Sequence, residues 1–271
     1  MVMGPTHATH GFIAGLAASQ LGSLGGTAAG IPTALVLGML GAGAAIAPDL
    51  DHAGATASKS LGPISWAASA GIRAISASVY AATRTRYDRP NADGHRGITH
   101  TPPGALGLGL LFGGGCALAE VFGGAAAGRW TAIGVIWVFL VWALRGLPPK
   151  SGHIQDYVAA SVLTGIAYTV LTRAYPDGLP VLLGATIALG AYVHALGDGL
   201  TDYGAPLLFP LMVDGQRWHS CGSPKPLRFK AGKGWEKNVI FPLSLLGVAA
   251  ALIWLIPGAW PRIAHAFALT L

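Results

Sequence analysis

The chain has 271 residues, of which 52% are hydrophobic, and only 10% are charged, against about 25% in an ordinary soluble domain. With a mean hydropathy of +0.54, this excludes a soluble enzyme and points to a polytopic membrane protein. The net charge is +6, and its placement says more than its size. The N-terminus MVMGPTHATHG lacks a basic n-region, so no cleavable signal peptide is expected. Cys116 and Cys221 lie far apart in different contexts and read as reduced thiols.

A bilayer core takes about 20 residues of helix. Apolar segments of that order are Phe12–Ala29, Ile31–Ala47, Ala105–Ala127, Trp130–Leu144, Tyr157–Ala174, Leu179–Leu196 and Val239–Ile256. The first two are short, rich in Gly and Ala, and separated by the break Gly30-Ile31-Pro32, so they read as a tight helical hairpin. Ile64–Thr83 carries Arg73 at its middle and reads as an amphipathic helix lying at the interface. The expected fold is therefore all-α. It is one membrane-embedded domain over residues 1–271, with about seven apolar helices and one interfacial helix.

If the chain starts in the cytoplasm, alternation makes 48–103 and 197–238 cytoplasmic loops. Of the seventeen Lys and Arg, all but Arg129, Arg173 and Arg262 then lie on that side, the bias expected of an inner-membrane protein. The same clusters favour anionic lipid headgroups or a phosphate-containing substrate as partners. The chain lacks the aromatic-interleaved basic stripe of single-strand binders, which argues against nucleic acid. No feature sets an oligomeric state.

The histidines and carboxylates are grouped. THATHG holds His7 and His10; IAPDLDH holds Asp49, Asp51 and His52; HRGITH holds His95 and His100; HALGDGLTDYG holds His194, Asp198, Thr201 and Asp202. Alternation brings all four groups to one face, although they were not used to build the topology. His194 and Asp198 (i, i+4) and His7 and His10 (i, i+3) each share a helix face. His95 and His100 would stand about 140° apart on a helix. Gly94, Gly97 and Pro102-Pro103 instead predict a loop that turns both imidazoles inward, with Thr101 as N-cap and Pro102 at the first helical position. Imidazole and carboxylate donors without thiolate suit zinc, or Mn²⁺ or Fe²⁺, in one to three ions. His153 and Asp156 in SGHIQD form a weaker pair on the same side. His219 with Cys221 is too small a set for a site, and His265 reads as incidental.

These ordered motifs, THATHG, PDLDH, HRGITHT and HALGDGLTDYGAPLLFP, with RFKAGKGWEKN near the last helix, resemble the bacterial membrane-bound metal-dependent hydrolases, some under LexA control. Thr101-Pro102 departs from the serine and apolar residue expected there. More distantly, the order of His and Asp is similar to the zinc-dependent phospholipase C and single-strand nuclease superfamily. The resemblance implies hydrolysis of a phosphate ester by metal-activated water. In that reading, His7, His10, Asp49, Asp51, His52, His95, His100, His194 and Asp198 supply metal ligands. Asp51 or Asp202 acts as general base, Arg96 pairs with the phosphate, and Glu236 is a further ligand or acid. The competing expectation is a divalent-cation or proton transporter using the same cluster. Against it, the polar groups lie at helix ends and no inverted repeat is visible.

Overall fold

The computed structural model describes residues 3–23, 30–90, 94–147, 153–224 and 228–256. Nine helices, α1 Gly4–Ser23, α2 Ile31–Ala44, α3 Thr56–Lys59, α4 Pro63–Thr83, α5 Pro102–Gly109, α6 Gly115–Gly146, α7 His153–Ala174, α8 Leu179–Gly199 and α9 Phe241–Trp254, are found among the described residues. No strand occurs there beyond isolated bridges such as Ala205 with Cys221. Both cysteines are free. Arg262 and His265 lie outside the described residues, as do Lys225 and the end of the expected Phe12–Ala29 segment.

Among the described residues, five stretches are long and apolar enough to cross a membrane: Ile31–Asp51, Pro102–Gly146, His153–Ala174, Leu179–Gly199 and Glu236–Trp254. The expected count of seven is not reached by this measure, for two physical reasons. The polar start THATH dilutes α1. The segments Ala105–Ala127 and Trp130–Leu144 run together as one helical stretch of 45 residues. That stretch is not straight. The rings of Phe112 and Phe139 lie 5.0 Å apart, whereas 27 residues of straight helix span about 40 Å. The reversal falls at Gly124, whose φ of 78° is open to glycine at no steric cost.

The centre of the bundle is the stretch Ile31–Asp51 that contains α2, most of it buried, while Glu236–Trp254, with α9, lies at the rim and is almost wholly unburied. Small residues let the backbones meet. A Cβ at Gly11 would overlap the Gly41 carbonyl, and one at Gly43 would overlap that of Phe139. Such close approach is how helices associate where lipid removes the hydrophobic drive.

The segment expected to lie at the interface is helical, as α4, and its polarity is inverted relative to a soluble helix. Ser65, Ser69, Ser76 and Tyr80 face inward, while Ile64, Trp66 and Ile75 are more than 60% exposed. An apolar outward face needs a lipid neighbour to be stable. The inward serines grip loops: Ser76 Oγ donates to the Gly94 carbonyl at 2.6 Å and accepts from Ile98 N at 3.2 Å. Thus α4 pins the segment that carries His95 and His100.

Candidate metal centre

Four elements deliver the cluster, all from one end of the bundle. His7 comes from the first turns of α1, Asp49 and Asp51 from a short 3₁₀ turn (Ala47–Asp51) after α2, and His194 and Asp198 from the last turns of α8. The fourth element is the loop before α5. As the sequence predicts, Thr101 caps α5, its Oγ1 accepting from Gly104 N at 3.0 Å, with Pro102 at the first helical position. A tight turn with Gly94 at φ 72° and Arg96 at φ 55° folds the loop inward, so that His100 is fully buried.

The two central histidines, His194 and His100, are each oriented by a second partner. His194 Nδ1 donates to the Ala45 carbonyl at 2.7 Å, which leaves Nε2 bare. His100 Nδ1 lies 3.2 Å from Asp51 Oδ2 and 3.0 Å from Thr99 Oγ1, which likewise turns Nε2 toward the centre. Asp51 also accepts from Thr99 Oγ1 at 2.6 Å and Arg96 N at 3.0 Å, and pairs with His95 Nδ1 at 2.9 Å. It orients the histidines and does not face the centre itself.

Nε2 of His100 stands 3.0 Å from Nε2 of His194. Asp49 Oδ1 is 3.5 Å from His194 Nε2 and 4.0 Å from His100 Nε2. Asp198 Oδ2 is 3.4 Å from His100 Nε2 and 3.9 Å from His194 Nε2. Donors at the corners of a tetrahedron with ~2.0–2.1 Å bonds stand about 3.3 Å apart, so these separations bracket a zinc-sized centre. The donors fall into two groups that share His194: Asp49, His100 and His194, and His7, His194 and Asp198, in which His7 Nε2 is 3.4 Å from Asp198 Oδ1 and the His7 ring stacks on His194 at 3.7 Å.

The electrostatics agree with the donors. Asp49, Asp51 and Asp198 are buried, and the Arg96 guanidinium pairs with Asp198, so the charge of the other two carboxylates must be met by protons on the histidines or by a cation. Asp49 Oδ1 has no hydrogen-bond partner among the described residues, although it is buried. A buried unpaired acceptor is costly, and a bound cation removes that cost. Without a cation the charge must come from protons. Burial alone would lower the pKa of His100, but the carboxylates of Asp51 and Asp198 outweigh it and push it up to about 10. The donor set fits a divalent metal ion.

Residues 1–258 match the model of a family described as YdjM inner membrane protein. The chain belongs to that family. The match covers all four His/Asp motifs and the RFKAGKGWEKN segment, and it agrees with the multi-span architecture of an inner-membrane protein. It is compatible with the resemblance to LexA-controlled membrane proteins, and it carries no link to the phospholipase C superfamily. No curated protein and no solved structure matches the chain.

In this family member the remaining expected site residues stand around the cluster or away from it. His10 points across α1 to α9, its Nε2 2.7 Å from Ser244 Oγ. His52 accepts from Gly54 N at 3.2 Å, and its ring lies 4.9 Å from that of His95 at the edge of the cluster. Glu236 is buried outside it, with Oε1 accepting from Met3 N at 2.5 Å and Oε2 from Gly232 N at 2.6 Å. Asp202 is exposed beyond the end of α8. Arg96 does not reach out for a ligand. Its guanidinium is 2.9 Å from Asp198 Oδ2 and donates to the Gly204 carbonyl at 2.7 Å and Thr201 Oγ1 at 3.3 Å. His153 and Asp156 lie apart from the centre, on Arg145. The sequence reading missed Ser76, Thr99 and the Ala45 carbonyl as orienting groups. Only Thr99, inside HRGITHT, carried a local signal.

Proposed function

We propose that the protein is a membrane-bound, metal-dependent phosphoesterase acting on the headgroup of a lipid or other amphiphile. The observation that carries the reading is the convergence of the two bare imidazole nitrogens with Asp49 and Asp198, where buried negative charge is in excess. His100, His194, Asp49 and Asp198 would hold one divalent ion, most simply zinc, and His7 would extend the site toward a second. Such an ion supplies Lewis acidity, lowering the pKa of a water toward 7 and drawing charge from phosphorus.

The protein's own groups do the rest. Asp51 fixes the loop and both of its histidines. His95 is the member of the set with part of its ring exposed, 21%, and it is held through Nδ1 by Asp51. That exposure makes His95 the histidine of this loop placed to meet a substrate headgroup. Arg96 keeps Asp198 turned to the centre. The basic residues Arg84, Arg86, Arg217 and Arg228 lie in the same inter-helix segments, 48–103 and 197–238, that carry much of the site. That bias favours a cytoplasmic mouth and an anionic substrate.

The test is release of phosphate or a phosphorylated headgroup from defined liposomes by zinc- or manganese-loaded protein, with and without chelator. Hydrolysis that disappears in Asp198→Asn, while the protein stays folded, is the expected result. A loaded, folded preparation that cleaves no phosphoester but passes divalent ions across proteoliposomes overturns the reading in favour of transport.

A further inference from the structure

Within Glu236–Trp254 the buried side chains are Glu236 and Ser244, and both are polar. Both bind the start of α1. Glu236 Oε1 accepts from Met3 N at 2.5 Å, and Ser244 Oγ stands 2.7 Å from His10 Nε2. The neighbouring Leu243, Leu245 and Leu246 are exposed instead. This last helix therefore meets α1 through polar groups placed beside two of the histidines.

Ser244 follows Glu236 by eight residues. On an α-helix that spacing leaves them about 80° apart. The turn Glu236–Ile240 is a π turn, however. Its one extra residue takes up about 100° and returns both side chains to one face. The sequence supplies the cause. Pro242 offers no N–H to the carbonyl four residues back, at Asn238, and its ring crowds that carbonyl, which a wider turn relieves.

The hydrogen bonds continue inward from Met3. Its carbonyl accepts from Thr6 N at 2.9 Å and from His7 N at 3.1 Å, so Met3 opens the first turn of α1. The other Glu236 oxygen accepts from Gly232 N at 2.6 Å, where Gly232 turns at φ 72°. A carboxylate here also meets the positive end of the α1 dipole. Glu236 thus ties the turn before α9 to the backbone of His7. That backbone matters, because neither ring nitrogen of His7 has a hydrogen bond among the described residues, unlike those of His100 and His194. With no acceptor of its own to orient it, the His7 imidazole lies where the first turn of α1 puts it, stacked on His194.

We propose that Glu236 is a positioning residue of the metal centre. By holding Met3 N it fixes the first turn of α1, and with it the reach of His7 Nε2 toward Asp198. The proposal rests on the metal-centre part of the proposed function, in which His7 extends the site toward a second ion. It requires no hydrolysis.

The test is zinc titration of the full-length protein against a chromophoric competitor, which separates a first ion at Asp49 and His100 from a second at His7. Glu236→Gln keeps the shape but sets an amide N–H₂ against one of the two backbone N–H groups. It should weaken the second ion about tenfold and leave the first within about twofold. Met3→Pro removes the same hydrogen bond from the other partner and should do likewise, so the test survives a Glu236 variant that does not fold. Ser244→Ala loosens α9 without touching Met3 and should move neither ion. In a His7→Ala background, which keeps the first ion, Glu236→Gln should leave zinc affinity unchanged within about twofold. A tenfold loss in that background would make Glu236 a global support and overturn the proposal. A second ion unmoved by both Glu236→Gln and Met3→Pro overturns it as well. Those two results sink the role of Glu236 alone. A wild type whose zinc uptake is unchanged by His7→Ala, or that takes up no zinc, sinks the positioning role together with the part of the metal centre it serves.

Discussion

Nε2 of His100 and Nε2 of His194 face each other at 3.0 Å inside the bundle, and each ring already uses its other nitrogen on a carboxylate or a carbonyl. Two bare lone pairs at that distance repel, and no water dilutes the repulsion in a buried site. Something positive must sit among them, a proton or a cation. The surplus of carboxylate charge around the pair makes a divalent ion the better match.

Loss of either facing histidine should therefore empty the site. His194→Ala and Asp49→Ala should lower tightly bound zinc at least tenfold, as measured by elemental analysis after exhaustive dialysis. His10→Ala and His52→Ala should keep it, because His10 is tied to Ser244 and His52 to its own turn. Equal losses in all four variants would mean that the site is larger than these donors.

Proton and metal compete for His100, so metal binding releases a proton and strengthens as pH rises. The sign for stability follows. In metal-free protein the folded pKa of about 10 exceeds the unfolded value near 6.5. The protonated pair stabilises the stripped protein fully below about pH 6.5, and that stabilisation is lost as pH climbs through about 10. Melting curves of zinc-loaded and stripped protein should draw apart between pH 7 and 10. His100→Gln should flatten the curve of the stripped protein. A gap that narrows with pH would contradict proton competition.

Much of this centre was legible in the sequence because ligand chemistry and capping are local. HRGITHT followed by Pro102 and Gly104 specifies an inward loop ending in a cap, and Thr101 caps as expected. His194 and Asp198, one helical turn apart, do meet at one centre. What was not legible depends on neighbours. His7 and His10 sit three apart at the α1 surface, yet one faces α8 and the other α9, so only His7 joins the cluster. Glu236 accepts from the Met3 amide at the other end of the chain as well as from nearby Gly232, and no spacing reveals the first of these. The reversal at Gly124 falls a few residues before the break at Gly128-Arg129 that separates Ala105–Ala127 from Trp130–Leu144 in the sequence, so its existence was legible and its position was not. In α4, the habit of placing apolar residues inward fails: the serines pack inward while Ile64, Trp66 and Ile75 stand exposed.

Asp51 tests the orienting role. It binds His95, His100, Thr99 and the backbone of Arg96, so Asp51→Asn keeps shape but removes the charge and one of the two acceptor oxygens that fix the imidazoles. Partners of this kind typically cost 10–100-fold in metal affinity when changed. The expected outcome is a zinc dissociation constant raised by about that factor, together with faster amide exchange over residues 94–101. Unchanged affinity and exchange would show that the loop is held by Ser76 alone.

Arg96 separates a positioning role from substrate binding. Its backbone is left-handed at φ 55°, a conformation a long side chain adopts only when its surroundings hold it there. What holds it is the fork: one arm on Asp198 and the other on the Gly204 carbonyl and Thr201. A lysine keeps the charge but has one ammonium in place of two arms, so it cannot span both partners. Arg96→Lys should let Asp198 turn and raise the zinc dissociation constant about tenfold. The KM of a phosphoester measured at saturating zinc should move little. If the guanidinium instead gripped the substrate phosphate, the pattern would reverse, with zinc affinity held and KM raised. The two measurements on one variant therefore decide between them.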